Sequence, residues 1–194
     1  GLLNHEMLGK SVKPPQPAKL WEIVAMPSSY PRKYKADEGK KAFRRSVYTF
    51  WKRGLPPPRM TIFDAPTREA CIARRERTNT PLQALMLMNE PQFFNAAIHC
   101  AQRLLEDSKS SDEQRIQDAY ETITSQLPTV TETLTLQEAL KAFREHYSND
   151  NEAARAMTSG YLAGDATETD SVELASWTML THTLLNLDIV KTRQ

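Results

Sequence analysis

The chain has little cysteine, little glycine and no long apolar run, and each shortage excludes a class of protein. Two cysteines in 194 residues, Cys71 and Cys100, are too few for a disulfide scaffold or a structural zinc site. The four histidines lie scattered and supply no ligand set at metal spacing, so no metal centre is expected. Six glycines against 12 prolines disfavour a Gly-rich cofactor loop. None of the patterns GxGxxG, GxxxxGK[ST], HExxH, GxSxG or CxxCH occurs. Uninterrupted apolar stretches stop at four or five residues, as at Leu85 to Met88, whereas a bilayer needs roughly 20. No membrane span and no catalytic constellation are therefore expected, and any enzyme role stays open.

Charge is present but divided. The net value is +1, yet residues 1–103 carry 18 Lys+Arg against 8 Asp+Glu, and residues 104–194 carry 7 against 16. A +10 part followed by a −9 part fits two bodies of opposite charge, one body whose halves attract, or a basic face awaiting an anion. The acids of the second half are spread singly, as on solvated helix faces. The chain opens Gly-Leu-Leu-Asn, with neither an initiator Met nor a signal segment, and it reads as a fragment of a larger protein.

Residues 1–42 hold Pro14, Pro15, Pro17, Pro27 and Pro31 and predict an extended arm, with a short helix over residues 18–25 anchored by Trp21. Residues 43–194 are expected to be one mainly helical domain, acidic in its second half. Within it, residues 43–53 alternate aromatic and β-branched types and predict a strand, with a second extended piece at 60–63. Asp64-Ala65-Pro66 predicts a short helix to about residue 74. From residue 80 onward the pattern predicts five or more helices. Thr80-Pro81-Leu82-Gln83 is a capping box with Pro at the first helical position, and Asn89-Glu90-Pro91 interrupts and restarts the helix, which then runs to about Glu106. Apolar stripes follow at Ile116, Ala119, Tyr120 and Ile123, at Leu136, Leu140, Phe143 and Tyr147 after a box at Thr135, and at Leu174, Trp177, Thr181 and Leu184 after Asp170. A weaker helix over residues 151–162 closes at Gly160 or Gly164. Trp21, Trp51 and Trp177 are expected to be buried.

The densest chemistry is Arg74, Arg75 and Arg77 running into Asn79 and the Thr80 helix start. Outward N–H groups and guanidinium forks make a seat for sulfate, phosphate or a sugar carboxylate. The simpler alternative pairs these arginines with Asp64, Glu69 or Glu90. His99 and Cys100 are adjacent on a helix, so they point about 100° apart and cannot act as base and nucleophile together. Cys100 reads as a core residue and Cys71 as a buried structural thiol. His146 and His182 read as helix-surface residues. Tyr48, Phe50 and Trp51 among Arg44, Arg45, Lys52 and Arg53 imitate a stacking platform, with core packing plus salt bridges as the simpler alternative.

The order of Lys13-Pro14-Pro15-Gln16-Pro17, Leu20-Trp21-Glu22, residues 43–53, Phe63-Asp64-Ala65-Pro66, residues 75–85 and the closing Leu184-Leu185-Asn186-Leu187-Asp188 resembles the C-terminal part of the planctomycete secreted domain, a family of unknown function. The chain departs from that pattern at Leu8-Gly9-Lys10-Ser11, where the family usually has paired glycines before the Ser. The resemblance implies an exported, periplasmic or extracellular parent protein, with other domains as partners and a c-type cytochrome-like domain upstream. Any haem would belong to that upstream domain, because this chain has no haem-binding motif. The leading expectation is a non-catalytic structural or interaction module. The alternative is a part of an extracytoplasmic redox or polysaccharide-processing assembly whose Arg-rich loop holds an anionic saccharide or another anion. Nucleic acid is disfavoured as a partner by the exported context.

Overall fold

The computed structural model describes residues 1–17, 19–21, 26, 28, 30–106, 110–159 and 171–192. The chain forms two compact units, Gly1–Thr78 and Asn79–Gln194. The expected helix over residues 18–25, the closing glycines 160 and 164 and the Asp170 cap lie outside the described residues, wholly or in part.

Nine of the 12 prolines fall in the first unit and deny it long helices. Its described helical pieces are two three-residue 3-10 turns, Gly39–Lys41 and Ser46–Tyr48, and α1, Pro58–Ile62. The strand expected over residues 43–53 does not form. The arm instead meets this segment at two isolated parallel bridges, Asn4 with Arg44 and Val12 with Thr49. The Asn4 N–H donates to the Phe43 carbonyl at 2.9 Å, the Val12 N–H to Tyr48 at 2.8 Å, and the Phe50 N–H to Val12 at 2.7 Å. Eight residues separate the two bridge points on the arm and five on its partner, so a continuous ladder is out of register. The surplus is thrown out as a turn in which Leu8 (φ 66°) and Gly9 (φ 88°) are both left-handed. At Leu8 a leucine thus adopts a conformation that glycine takes most readily.

Arg44 fills that turn. Its guanidinium donates to the carbonyls of Glu6 (3.0 Å), Leu8 (2.5 Å) and Lys10 (3.2 Å) and lies 3.8 Å above the Tyr48 ring, whose hydroxyl accepts the Leu8 N–H. Trp21 forms the centre of the unit. It is 4% exposed, donates its indole N–H to the Pro31 carbonyl and packs on Tyr34 and Phe50. Trp51 is half-buried rather than fully buried, with the Arg68 guanidinium over its ring.

The extended piece expected at 60–63 is α1. Pro58 presets its first helical φ, and the N–H groups of Met60 and Thr61 return to the Pro57 carbonyl, so the triple proline starts a helix as well as ending the preceding segment. The helix expected from Asp64 is not formed either. Asp64 (φ 58°) and Arg68 (φ 64°) are left-handed, and the Asp64 carboxylate turns to Thr78 instead of capping its own next turn.

The second unit is helical. Its helices are α2 (Pro81–Asn89), α3 (Pro91–Glu106), α4 (Asp112–Thr124), α5 (Val130–Asn149), α6 (Asn151–Ser159), α7 (Ser171–Leu185) and α8 (Asp188–Lys191). No strand occurs among the described residues. The start of α5 lies earlier than the expected Thr135 box. Thr129 caps the Glu132 N–H and Glu132 reaches back to Thr129, which is the same device one motif upstream, while the Thr135 hydroxyl donates inward to the Thr131 carbonyl.

Helix α7 is the axis, with α3, α5 and α6 packed around it. Nine of its 15 residues are buried, so it needs no polar face. Its buried hydroxyls are satisfied within the fold: Ser176 donates to Val172, Thr178 to Leu174, and Thr181 shares its proton among the carbonyls of Ala97, Trp177 and Thr178. Trp177, Leu180, Leu174, Ala101, Ile116 and Leu140 form the centre of the core, and Leu184 with Ala119, Tyr120 and Ile123 extends it.

Candidate functional site

The expected anion seat divides between the two units, and each part is described by itself. In the first, Asp64 closes a loop over residues 64–78. Its carboxylate accepts the Thr78 N–H at 2.8 Å and the Thr78 hydroxyl at 2.8 and 2.9 Å. Arg75 seals the same loop from the other side, donating Nε to the Asp64 carbonyl at 2.8 Å and Nη2 to the Phe63 carbonyl. The expected partners of Arg75 were carboxylates or an external anion, and the bonds it makes are to main-chain carbonyls. Arg74, Arg75 and Arg77 are all exposed. In the second unit the Thr80 hydroxyl accepts the Gln83 N–H, while Gln83 Oε1 accepts the Thr80 N–H at 3.1 Å. The Asn79 amide donates to the Asp188 carboxylate, which ties the entry of this unit to α8.

The remaining candidates separate according to burial. Cys100 is half-buried against the Leu184 cluster, and burial pushes its thiol up from the ordinary value. The same cause lowers His99. Cys71 is exposed, contrary to the expected buried thiol, because the helix that was to carry it inward is absent. His182 corrects the expectation in the other direction. It is 8% exposed, with Nε2 3.1 Å from the Leu87 carbonyl and Phe94 edge-on to its ring, because it lies on the face of α7 turned to α2 and α3. The platform of rings and cations in the first unit turns inward. Arg44 lies over Tyr48, Lys13 over Phe50, Lys52 over Trp21 and Arg68 over Trp51, so cation–π contacts take the place of the expected salt bridges.

The strongest electrostatic constellation escaped the sequence reading. Arg144 on α5 donates to both oxygens of Asp112 at the start of α4, at 2.5 and 3.0 Å, and to both oxygens of Glu173 in the first turn of α7, with Nε at 2.9 Å. Glu173 also accepts the Trp177 indole N–H at 2.8 Å. Hydrogen bonding to Arg144 holds the Asp112 carboxyl below its ordinary value. The bonds to Asp112 and then Glu173 push the Arg144 guanidinium further up. Two forked pairs of this kind bind three helices together. The legible signals were acids in the first turns of α4 and α7 and the Glu173 to Trp177 spacing of four. The 29- and 32-residue separations of the partners are not readable from local pattern.

A mainly helical body preceded by a proline-rich unit held by arginine-to-carbonyl bonds is the class of protein defined here. Its side-chain chemistry, where described, is directed to the chain's own backbone and helices. The chain belongs to the PSD1 family of proteins of unknown function (DUF1553), whose model matches residues 1–140. Neither a curated protein nor a solved structure matches the chain.

Proposed function

We propose that the chain is a non-catalytic structural or interaction module at the C-terminus of a larger exported bacterial protein of the planctomycete secreted type, and that its partners are the other domains of that parent. The observation that carries the interaction role is the outer row of α2. Leu82, Leu85 and Met88 are 55%, 57% and 55% exposed at a spacing of three, while Gln83 and Leu87 turn inward. No residue of α2 is charged. A neutral apolar row on water is the usual mark of a surface awaiting a protein partner.

The test is association of this chain with the segment encoded immediately upstream, by sedimentation velocity. Complex formation lost in Leu85→Glu, with helicity retained, is the expected result. Absence of association in the unaltered pair would refute the reading. The second reading, an anionic ligand held within a redox or polysaccharide-processing assembly, is favoured by the cationic surplus of the first unit. Arg74 is one of the exposed guanidiniums there.

A further inference from the structure

The loop that Asp64 and Thr78 close is the most exposed part of the described chain. Its residues 67–77 are exposed without a break, the longest such run among the described residues, and none of them lies in a helix or a strand. Hydrogen bonds gather at the two ends of the loop. The Glu69 N–H donates to the Thr67 hydroxyl at one end, and at the other Arg75 and Thr78 bond back to Phe63 and Asp64. Between these ends, residues 70–74 make no hydrogen bond among the described residues.

The cations of the run are arginines, with no lysine among them. Three of the arginines are engaged. The Arg68 guanidinium lies 4.5 Å from the centre of the Trp51 ring, Arg75 donates to the Phe63 and Asp64 carbonyls, and Arg77 also has a partner. Arg74 has none among the described residues, and it is exposed. It stands just ahead of the boundary between the two units at Thr78, and the hydrophobic clusters of the helical unit all lie beyond it.

We propose that the peptide bond between Arg74 and Arg75 is a processing site for an arginine-directed endoprotease. Exposed loops are the preferred sites of nicking, and an endoprotease adds two demands of its own. It holds the substrate as an extended strand through main-chain hydrogen bonds, and it takes the side chain before the scissile bond into a pocket. Residues 70–74 offer unbonded main-chain groups, and Arg74 offers an uncommitted guanidinium. Other exposed cations of the first unit meet one demand and fail the other. Arg53 sits in a tight turn closed by the Leu55 N–H on the Lys52 carbonyl, and Lys40 and Lys41 belong to a 3-10 turn. In the cut, water adds across the bond: its hydroxyl goes to the Arg74 carbonyl carbon, which becomes a carboxylate, and a proton goes to the departing Arg75 nitrogen. The chain is thereby parted in front of the helical unit. This site does not depend on the interaction reading of α2.

The experiment has two arms. In the first, the full chain is digested briefly with trypsin under native conditions and the products are read by mass spectrometry. The earliest products expected are residues 1–74 and 75–194. Arg74→Gln should slow the first cut about tenfold or more, because the protease pocket loses its charged occupant, whereas Arg53→Gln should change it less than about twofold. An earliest cut elsewhere overturns the site, and so does an unaltered rate in Arg74→Gln, since a fast cut after Arg75 would show that its bonds to the carbonyls do not protect it. In the second arm the protein is recovered from its source organism and its fragments are sequenced. A fragment beginning at Arg75 is expected; the uncut chain alone, or fragment ends elsewhere, overturns the processing even where trypsin cuts after Arg74.

Discussion

Arg44 shows how one side chain substitutes for secondary structure. The loop formed by residues 5–11 has no ladder, and three of its carbonyls end on one guanidinium. Lysine keeps the charge but lacks the fork, so Arg44→Lys should cost roughly 1.5 to 3 kcal/mol by urea unfolding, the range for lost hydrogen bonds to a charged group. An unchanged midpoint would show that the loop does not depend on the fork. Tyr34 gives a second test at this scale. Burial, more than the opposing Arg59 and Asp37 charges, pushes its phenol up to about 12 from an ordinary 10. A raised folded value means that the native state binds the proton more tightly. Its contribution is therefore complete below pH 10 and is lost as pH rises to about 12. Tyr34→Phe should flatten the alkaline decline in stability across that window; an equally steep decline would assign the loss to other groups.

At the scale of elements, the clamp of Arg144 on Asp112 and Glu173 connects α4, α5 and α7. The Asp112 carboxyl is lowered chiefly by its bond to Arg144. A depressed folded value places its contribution above the ordinary aspartate range near 4, to be lost as pH falls through the folded value. Acid unfolding followed by circular dichroism should thus begin at higher pH in Arg144→Gln than in the unaltered chain, because the carboxylates then lack the partner that resists protonation. Coincident acid transitions would mean that the clamp contributes nothing under those conditions. Removing one partner is the harsher change, since it leaves a half-buried charge uncompensated.

At the scale of the whole molecule, the hydrophobic clusters built around α7 lie entirely within residues 79–194. That segment made alone should give a cooperative thermal transition and a helical spectrum. The part of it inside the family match, residues 79–140, should not. It ends within α5 and lacks α7, and with α7 go Leu174, Trp177, Leu180 and Leu184. Cooperative folding of 79–140 would show that α7 is an addition to a complete core rather than its axis.

Local chemistry in the sequence determined the second unit almost helix by helix. Capping boxes and 3.6-residue stripes act within a few residues, so the Thr80 start, the Glu90 break and the Ile116 to Ile123 face were legible, and even the misplaced start of α5 was the right device at the wrong threonine. The same reasoning failed between residues 43 and 74, where an apparent strand had no partner in register and an apparent cap turned to Thr78, because a strand and a loop are defined by what lies opposite them in space. Of the candidate seat, residue types and spacing identified the arginine run and the Thr80 cap. That Arg75 bonds to carbonyls, that His182 is enclosed, and that Arg144 finds two acids some thirty residues away were decided by tertiary structure alone. Charge and burial act through space, and the chain sets those distances only when it folds.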